Sequence, residues 1–211
     1  MRENTRLSNR LNAAVEGDVM GDPASRGRYA TDASIYQMIP EAVVVPRSED
    51  DVQAAMQVAR EEETPVLPRG GGTSQCGQTV NRAVVLDNSR HLNKIIDIDT
   101  ENLTAKVQPG LVLDELNRAL KPHGLWFPVD PSTASRCTLG GMAANNSSGG
   151  KSLRFGVTRD NVRAISAILP DGTKARFNGV DPEPGPYADL VNDMRALGQR
   201  EADEINAQFP K

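Results

Sequence analysis

Pro68-Arg69-Gly70-Gly71-Gly72-Thr73-Ser74-Gln75-Cys76-Gly77-Gln78 is the stretch on which the reading of this chain turns. It follows Thr64-Pro65-Val66-Leu67, a short strand-like run, so the glycine cluster opens at a strand end. Glycine removes the Cβ that would hold a ligand away from the backbone amides, and Thr73 and Ser74 add hydroxyl donors. A second glycine-rich stretch runs from Pro131 to Arg159 and contains no Asp or Glu. Arg136, Lys151, Arg154 and Arg159 make it locally basic in a chain whose net charge is -4. Together the two stretches predict a surface for one large phosphate-bearing ligand.

Outward from these stretches, the pattern alternates strands and helices. Residues 4–15 predict a short amphipathic helix, and the Gly-, Asp- and Arg-rich passage that follows reads as loop as far as Tyr29-Ala30-Thr31-Asp32-Ala33-Ser34. Ala42-Val43-Val44-Val45 predicts a strand stopped by Pro46, and Ser48 with Asp51 signals the start of a helix carrying Val52, Ala55, Met56 and Ala59. With the strand before Pro68 this makes a β-α-β module, and open α/β sheets bind ligands at such strand ends. Further strands are predicted over 83–87, 95–99 and 104–108, and a helix over Leu113, Leu116 and Leu120, stopped by Pro122 and Gly124. Segments 162–169 and 174–177, joined by Pro170-Asp171-Gly172-Thr173, predict a hairpin. Leu190, Met194, Leu197, Ala202 and Ile205 predict a helical packing face over 186–209.

Several function classes fall away on composition and motif. The net charge and an aromatic content of 4% argue against a nucleic-acid partner. No apolar run approaches the ~20 residues that span a bilayer, and Met1-Arg2-Glu3-Asn4 does not open like a signal peptide, so the expected location is the cytoplasm. Gly72 and Gly77 have the glycine spacing of a P-loop, but Gln78 stands where the lysine belongs. The dinucleotide fingerprint fails because Gln75 occupies its third glycine position. Cys76 and Cys137 are too few for a zinc site and read as small buried residues, with a thiol close to a redox cofactor as the alternative, and no metal site is expected.

The remaining motifs, in order, are Pro-Arg-Gly-Gly-Gly-Thr-Ser (68–74), Val107-Gln108-Pro109-Gly110, Asp130-Pro131-Ser132, Thr138-Leu139-Gly140-Gly141-Met142-Ala143-Ala144-Asn145, Ser148-Gly149-Gly150, Arg154-Phe155-Gly156 and Leu169-Pro170-Asp171-Gly172. This ordered set resembles the FAD-linked oxidase family, also called the vanillyl-alcohol oxidase or PCMH-type FAD-binding family. Within it the wording is closest to the D-2-hydroxyacid dehydrogenase branch, including long forms fused to an iron–sulfur region. The resemblance implies an α+β fold of two subdomains: a small α/β subdomain over 1–85, and a larger mixed or antiparallel sheet subdomain with helices over 86–185. Residues 186–211 would then be a helical linker toward a missing substrate domain, making the chain an N-terminal fragment.

The resemblance also implies site residues. The backbone of Pro68, Arg69, Gly70, Gly71, Gly72, Thr73 and Ser74 would surround the FAD pyrophosphate, with Gly77 and Gln78 closing the loop and Pro109-Gly110 beside it. Pro131, Ser132, Thr138, Gly140, Gly141, Ala144 and Asn145 would run along the flavin and ribityl side. Gly149, Gly150, Phe155 and Gly156 would continue toward the adenosine, and 162–168, from Val162 to Ile168, would offer an edge strand to adenine. Relatives often carry tyrosine at the position of Phe155, so that phenolic contact is absent here. The first loop has no histidine, which implies non-covalent FAD; an iron–sulfur cluster would belong only to a longer parent chain. The implied activity is oxidation of a small 2-hydroxy acid (D-lactate, glycolate or D-2-hydroxyglutarate type) by hydride transfer to flavin N5. No catalytic residue is expected in this chain, and the electron acceptor is not implied. The alternatives are a non-catalytic nucleotide- or phosphate-binding domain and a domain like that of the UDP-N-acetylenolpyruvoylglucosamine reductases.

Overall fold

The computed structural model of the chain describes residues 4–180 and 186–209. The chain divides into two units, 1–162 and 163–211.

The first unit begins with α1 (Thr5–Ala14), capped by the Asn4 side chain accepting from Leu7 N, then β1 (Asp18–Met20) and α2 (Pro23–Arg28). The passage read from sequence as loop is therefore a strand and a helix. Asp22 caps α2 by accepting from Ser25 N, with Pro23 at its first position, and β1 is too short for its periodicity to show. Next come β2 (Ala42–Val45), α3 (Glu49–Glu61), β3 (Val66–Arg69) and β4 (Val84–Asp87). They form one sheet in the order β1-β2-β4-β3, with β2, β4 and β3 parallel and β1 antiparallel at the edge.

All residues of β2 and β4 are buried, which is why both read as nearly unbroken apolar runs rather than alternating ones. Leu7 and Leu11 of α1 and Ala55, Val58 and Ala59 of α3 close over Ala42, Val44, Val84 and Leu86. The start of α3 follows the sequence signal, since Ser48 Oγ accepts from Asp51 N at 3.1 Å. Asp51 is itself buried, and its carboxylate accepts from Arg47 N and Glu16 N, both at 2.8 Å. One carboxylate thus ties the end of α1 to the start of α3.

The same unit continues with β5 (Ile95–Asp99) paired antiparallel to β6 (Thr104–Val107), then α4 (Leu113–Leu120). Leu113, Leu116 and Leu120 are buried as their spacing predicts. Leu113 packs with Val129, Cys137 and Met142, while Leu116 and Leu120 pack with Leu111. Two short helices, α5 (Leu139–Asn145) and α6 (Ser152–Phe155), interrupt the second glycine stretch.

The second unit contains the predicted hairpin, β7 (Ile165–Ile168) antiparallel to β8 (Lys174–Phe177), turned by Asp171, whose carboxylate accepts from Thr173 N at 2.9 Å. The larger sheet expected after residue 86 thus takes the form of two two-stranded sheets among the described residues. Two helices follow, α7 (Pro186–Arg200) and α8 (Ala202–Gln208). Leu190, Met194, Leu197 and Ile205, expected to form a packing face, are exposed. Residues 181–185 and 210–211, where the expected boundary at 185 and the final residues fall, lie outside the described residues.

Central β4 supplies a clean test of this core. Leu86→Ala empties a site that is 1% exposed and should cost about 2–5 kcal/mol of unfolding free energy. Ile96→Ala, at a site 52% exposed, should stay within about 0.5 kcal/mol. Urea denaturation of both variants checks the contrast.

Candidate ligand-binding site

The glycine loop is the connection between two adjacent parallel strands, β3 and β4. Its base is closed by Asn88 N donating to Arg69 O at 3.1 Å. The amides of Gly70, Gly71, Gly72, Thr73, Ser74 and Gln75 donate to no acceptor among the described residues. Uncommitted donors in a run are the chemistry that an anion such as the diphosphate of a dinucleotide requires. Further along, the Ser74 hydroxyl donates to Gln78 Oε1, and Gln78 Nε2 donates to Asn145 Oδ1 at 3.3 Å.

The second stretch meets the first. Gly70 lies against the Thr138 side chain and Gly71 against the Arg136 carbonyl, so closely that a Cβ at either position would overlap those atoms. Thr138 is 2% exposed and caps α5, accepting from Gly141 N at 3.3 Å. Gly140 N donates to Pro109 O at 2.8 Å, and buried Gly110 donates to Leu92 O at 2.7 Å. Thr138, Gly140, Gly141, Pro109 and Gly110 therefore form a frame behind the loop. Ser132, Ala144, Asn145 and Gly150 are exposed, whereas Pro131, Gly149, Phe155 and Gly156 are half-buried. Pro68 is exposed at the end of β3; Val162 ends the first unit, and Ile168 lies in β7 of the second.

Unlike the first loop, the second stretch uses most of its polar groups internally. The acids that bracket it fold back over it: Asp130 accepts from Lys151 N and Asp160 from Val157 N, both at 2.8 Å. Their charges also reach Lys151 Nζ at 3.8 Å and Arg159 Nε at 3.7 Å. The basic excess read from the sequence is thus partly offset by carboxylates just outside the window. Phe155 packs edge-on to Trp126 with ring centroids 5.3 Å apart, and Arg154 lies over Phe155 at 5.1 Å. Gly150, Lys151, Leu153, Arg154 and Phe155 line a shallow depression beside it.

The cysteines divide. Cys137 is buried as expected, and burial pushes its thiol up, while Cys76 is exposed because the loop that carries it lies at the surface. Among the described residues no group of three or more His, Cys, Asp or Glu could hold a metal ion.

A polar network that the sequence reading did not contain sits under the loop. The Arg69 guanidinium donates to Tyr29 O at 3.2 Å, Thr79 O at 2.9 Å and Thr31 O at 2.8 Å, and lies 5.4 Å from the centre of the Tyr29 ring. Burial lowers its pKa from the usual range. Tyr29 donates its hydroxyl to buried Asp87 at 2.7 Å, and Asp32 accepts from Thr79 Oγ1 at 2.9 Å. The strand candidates end at Leu67 and Asp87, which does not give the register that sets Arg69 opposite Asp87, so no local signal for this network was present.

Burial, then the bond to Asp87, pushes the Tyr29 phenol up to about 12. An unfolded tyrosine ionises near pH ~10, so between the two values the unfolded state binds fewer protons. The Tyr29 contribution to stability is full below about pH 10 and is lost as pH rises toward 12. Denaturation midpoints measured across that window should fall more steeply for the wild type than for Tyr29→Phe.

The family described as FAD binding domain matches residues 40–178 of this chain. The chain is 37% identical to the D-2-hydroxyglutarate dehydrogenase of Pseudomonas putida, over 95% of this chain and 21% of that protein. It is 39% identical to the glycolate oxidase subunit GlcD of Bacillus subtilis, over 78% of this chain and 36% of that one. Among solved structures, an alkyldihydroxyacetonephosphate synthase superposes with a TM-score of 0.74 at 25% identity, over 85% of this chain and 37% of its own. The chain therefore spans between about a fifth and somewhat over a third of these relatives. By match and by fold, this chain belongs to the FAD binding domain family, and its mixed helix-and-sheet architecture is that of the PCMH-type FAD-linked oxidases.

Proposed function

We propose that this chain is the FAD-holding module of a flavin-dependent oxidoreductase that oxidises a 2-hydroxy acid of the D-lactate, glycolate or D-2-hydroxyglutarate type. The observation that carries the reading is the uncommitted amide run from Gly70 to Gln75, seated where β3 ends and pressed against the second glycine stretch. In this reading the amides of Gly70, Gly71, Gly72, Thr73 and Ser74 hold the diphosphate, and Gly77 and Gln78 close that loop. Pro131, Ser132, Ala144 and Asn145 line the flat ring system. Gly149, Gly150, Phe155 and Gly156 continue toward the adenosine. Pro68, Arg69, Pro109, Gly110, Thr138, Gly140 and Gly141 shape the cradle from behind.

When bound, FAD supplies a hydride acceptor at flavin N5 for the hydrogen on the α-carbon of the acid. The contribution of this chain is binding and orientation: fixed amide dipoles meet the diphosphate without a mobile side chain having to be ordered. The first loop contains no histidine, and FAD is held non-covalently. The base that takes the hydroxyl proton and the cations that grip the carboxylate are assigned to a substrate domain outside this chain, consistent with relatives about two to five times as long. The division into 1–85, 86–185 and a linker at 186–211, and a cytoplasmic location, belong to the same proposal. Among the described residues no helix is long and apolar enough to cross a membrane.

Protein purified with added FAD should show the visible flavin bands, and acid precipitation should leave all colour in the supernatant. A colourless protein overturns FAD binding, and a yellow pellet overturns non-covalent attachment. Gly70→Ala, which drives a methyl group onto Thr138, should weaken FAD binding by about tenfold, a loss of ~1.4 kcal/mol. The chain alone should not turn over D-lactate or D-2-hydroxyglutarate with an artificial acceptor; brisk turnover would place the base within it.

A further inference from the structure

Arg69 is the one charged side chain between Pro68 and Gln78, and a cation beside a diphosphate cradle invites the reading of a direct phosphate ligand. Its geometry opposes that. All three carbonyls that it reaches belong to segments flanking the loop: Tyr29 and Thr31 before it, Thr79 after it. Gly72, at φ +64°, folds over the guanidinium so closely that a Cβ there would lie 2.5 Å from Arg69 Nη2. The loop wraps the cation instead of presenting it.

The segment that Arg69 holds is itself built against the loop. Residues 30–38 form a turn closed by a bridge between Thr31 and Gln37 and by Met38 N donating to Ala30 O at 2.9 Å. Ala33 N donates to Gly72 O at 3.2 Å, and the Tyr36 ring packs on Gly77. Ile35, 94% exposed, and Tyr36, 55% exposed, stand at the rim of this turn. Asp32 completes the attachment by accepting from Thr79 Oγ1 and from Ser34 N at 2.8 Å.

We infer that Arg69 is a positioning residue: its guanidinium latches segment 29–38 to the glycine loop and thereby sets the orientation of the cradle amides, while its charge is spent on backbone carbonyls and is not offered to the ligand. The inference rests on the FAD reading above for its consequence, but the latch itself exists without ligand. Guanidinium has five donors in a planar fork, whereas the three donors of a lysine ammonium radiate from one point. Nη1 reaches Tyr29 O and Thr79 O while Nη2 reaches Thr31 O, so lysine, with a single nitrogen, preserves the charge at position 69 but loses the span between that first pair and Thr31.

The test compares wild type, Arg69→Lys, Arg69→Met and Ala33→Pro by amide hydrogen exchange without flavin and by FAD titration at two salt concentrations. The latch predicts that both Arg69 variants lose protection at the amides of 29–38 and 70–79 by at least about tenfold, with β2 and β4 unchanged. It also predicts that they lose FAD affinity alike, with the salt dependence of the wild type. Ala33→Pro, which removes the amide bonded to Gly72, should loosen 70–79 with Arg69 intact, and it carries the test if the Arg69 variants do not fold. The inference is overturned if Arg69→Lys keeps both protection and affinity, if affinity falls while protection holds, or if Ala33→Pro leaves 70–79 as protected as before. Should the wild type bind no FAD, the proposed function fails while the exchange measurements still judge the latch.

Discussion

The parallel pairing of β3 with β4, from Val66 opposite Val84 to Arg69 opposite Asp87, is the constraint on which the rest depends. Parallel neighbours cannot be joined by a tight turn, so the chain must leave the end of β3 and travel back along the sheet before β4 can begin. In most folds a helix makes that return. Here residues 70–83 make it without one, and the amides that a helix would have consumed remain available. The candidate site is thus a consequence of strand order. The sheet can bear a bare crossover because β2 and β4 are fully buried and are covered by α1 and α3, which do not need the loop for their packing.

A loop with uncommitted amides needs an outside frame, and two supply it. On one side are Thr138 and Arg136 of the second glycine stretch, which Gly70 and Gly71 approach without side chains of their own. On the other are the Arg69 guanidinium and the turn at 30–38. Neither frame takes up the amides of residues 70–75, so the loop is held without filling those donors. The second stretch differs in kind: its short helices, with Asp130 and Asp160 folded back over its amides, make it a wall, while the amides of 70–75 stay uncommitted.

Much of this was legible. Ala42-Val43-Val44-Val45 and the segment 83–87 read as strands, and the structure shows why they are apolar throughout: both are buried along their length. The spacing of Leu113, Leu116 and Leu120 declared its helix, and the order of the glycine motifs declared the family. What escaped was short or long-range. β1 has three residues, below the length at which a period can register, and α2 was concealed by polar composition although Asp22 and Pro23 mark its start. The Tyr29, Asp32, Thr79 and Asp87 contacts join residues 47 and 58 positions apart, beyond any local pattern. The stripe of Leu190, Met194, Leu197 and Ile205 shows the opposite limit, because periodicity announces an amphipathic helix but not what covers it.

The sequence by itself determined the family, the two glycine stretches and the alternation of strands and helices around them, because backbone freedom and side-chain periodicity are local properties written residue by residue. Only the tertiary structure decided which of those glycines admit a close neighbour, where the charge of Arg69 goes, and how far the basic excess of the second stretch survives. Each of those depends on distances between segments remote in the chain, and a guanidinium that could reach either a phosphate or a carbonyl is committed only when folding brings the carbonyls to it.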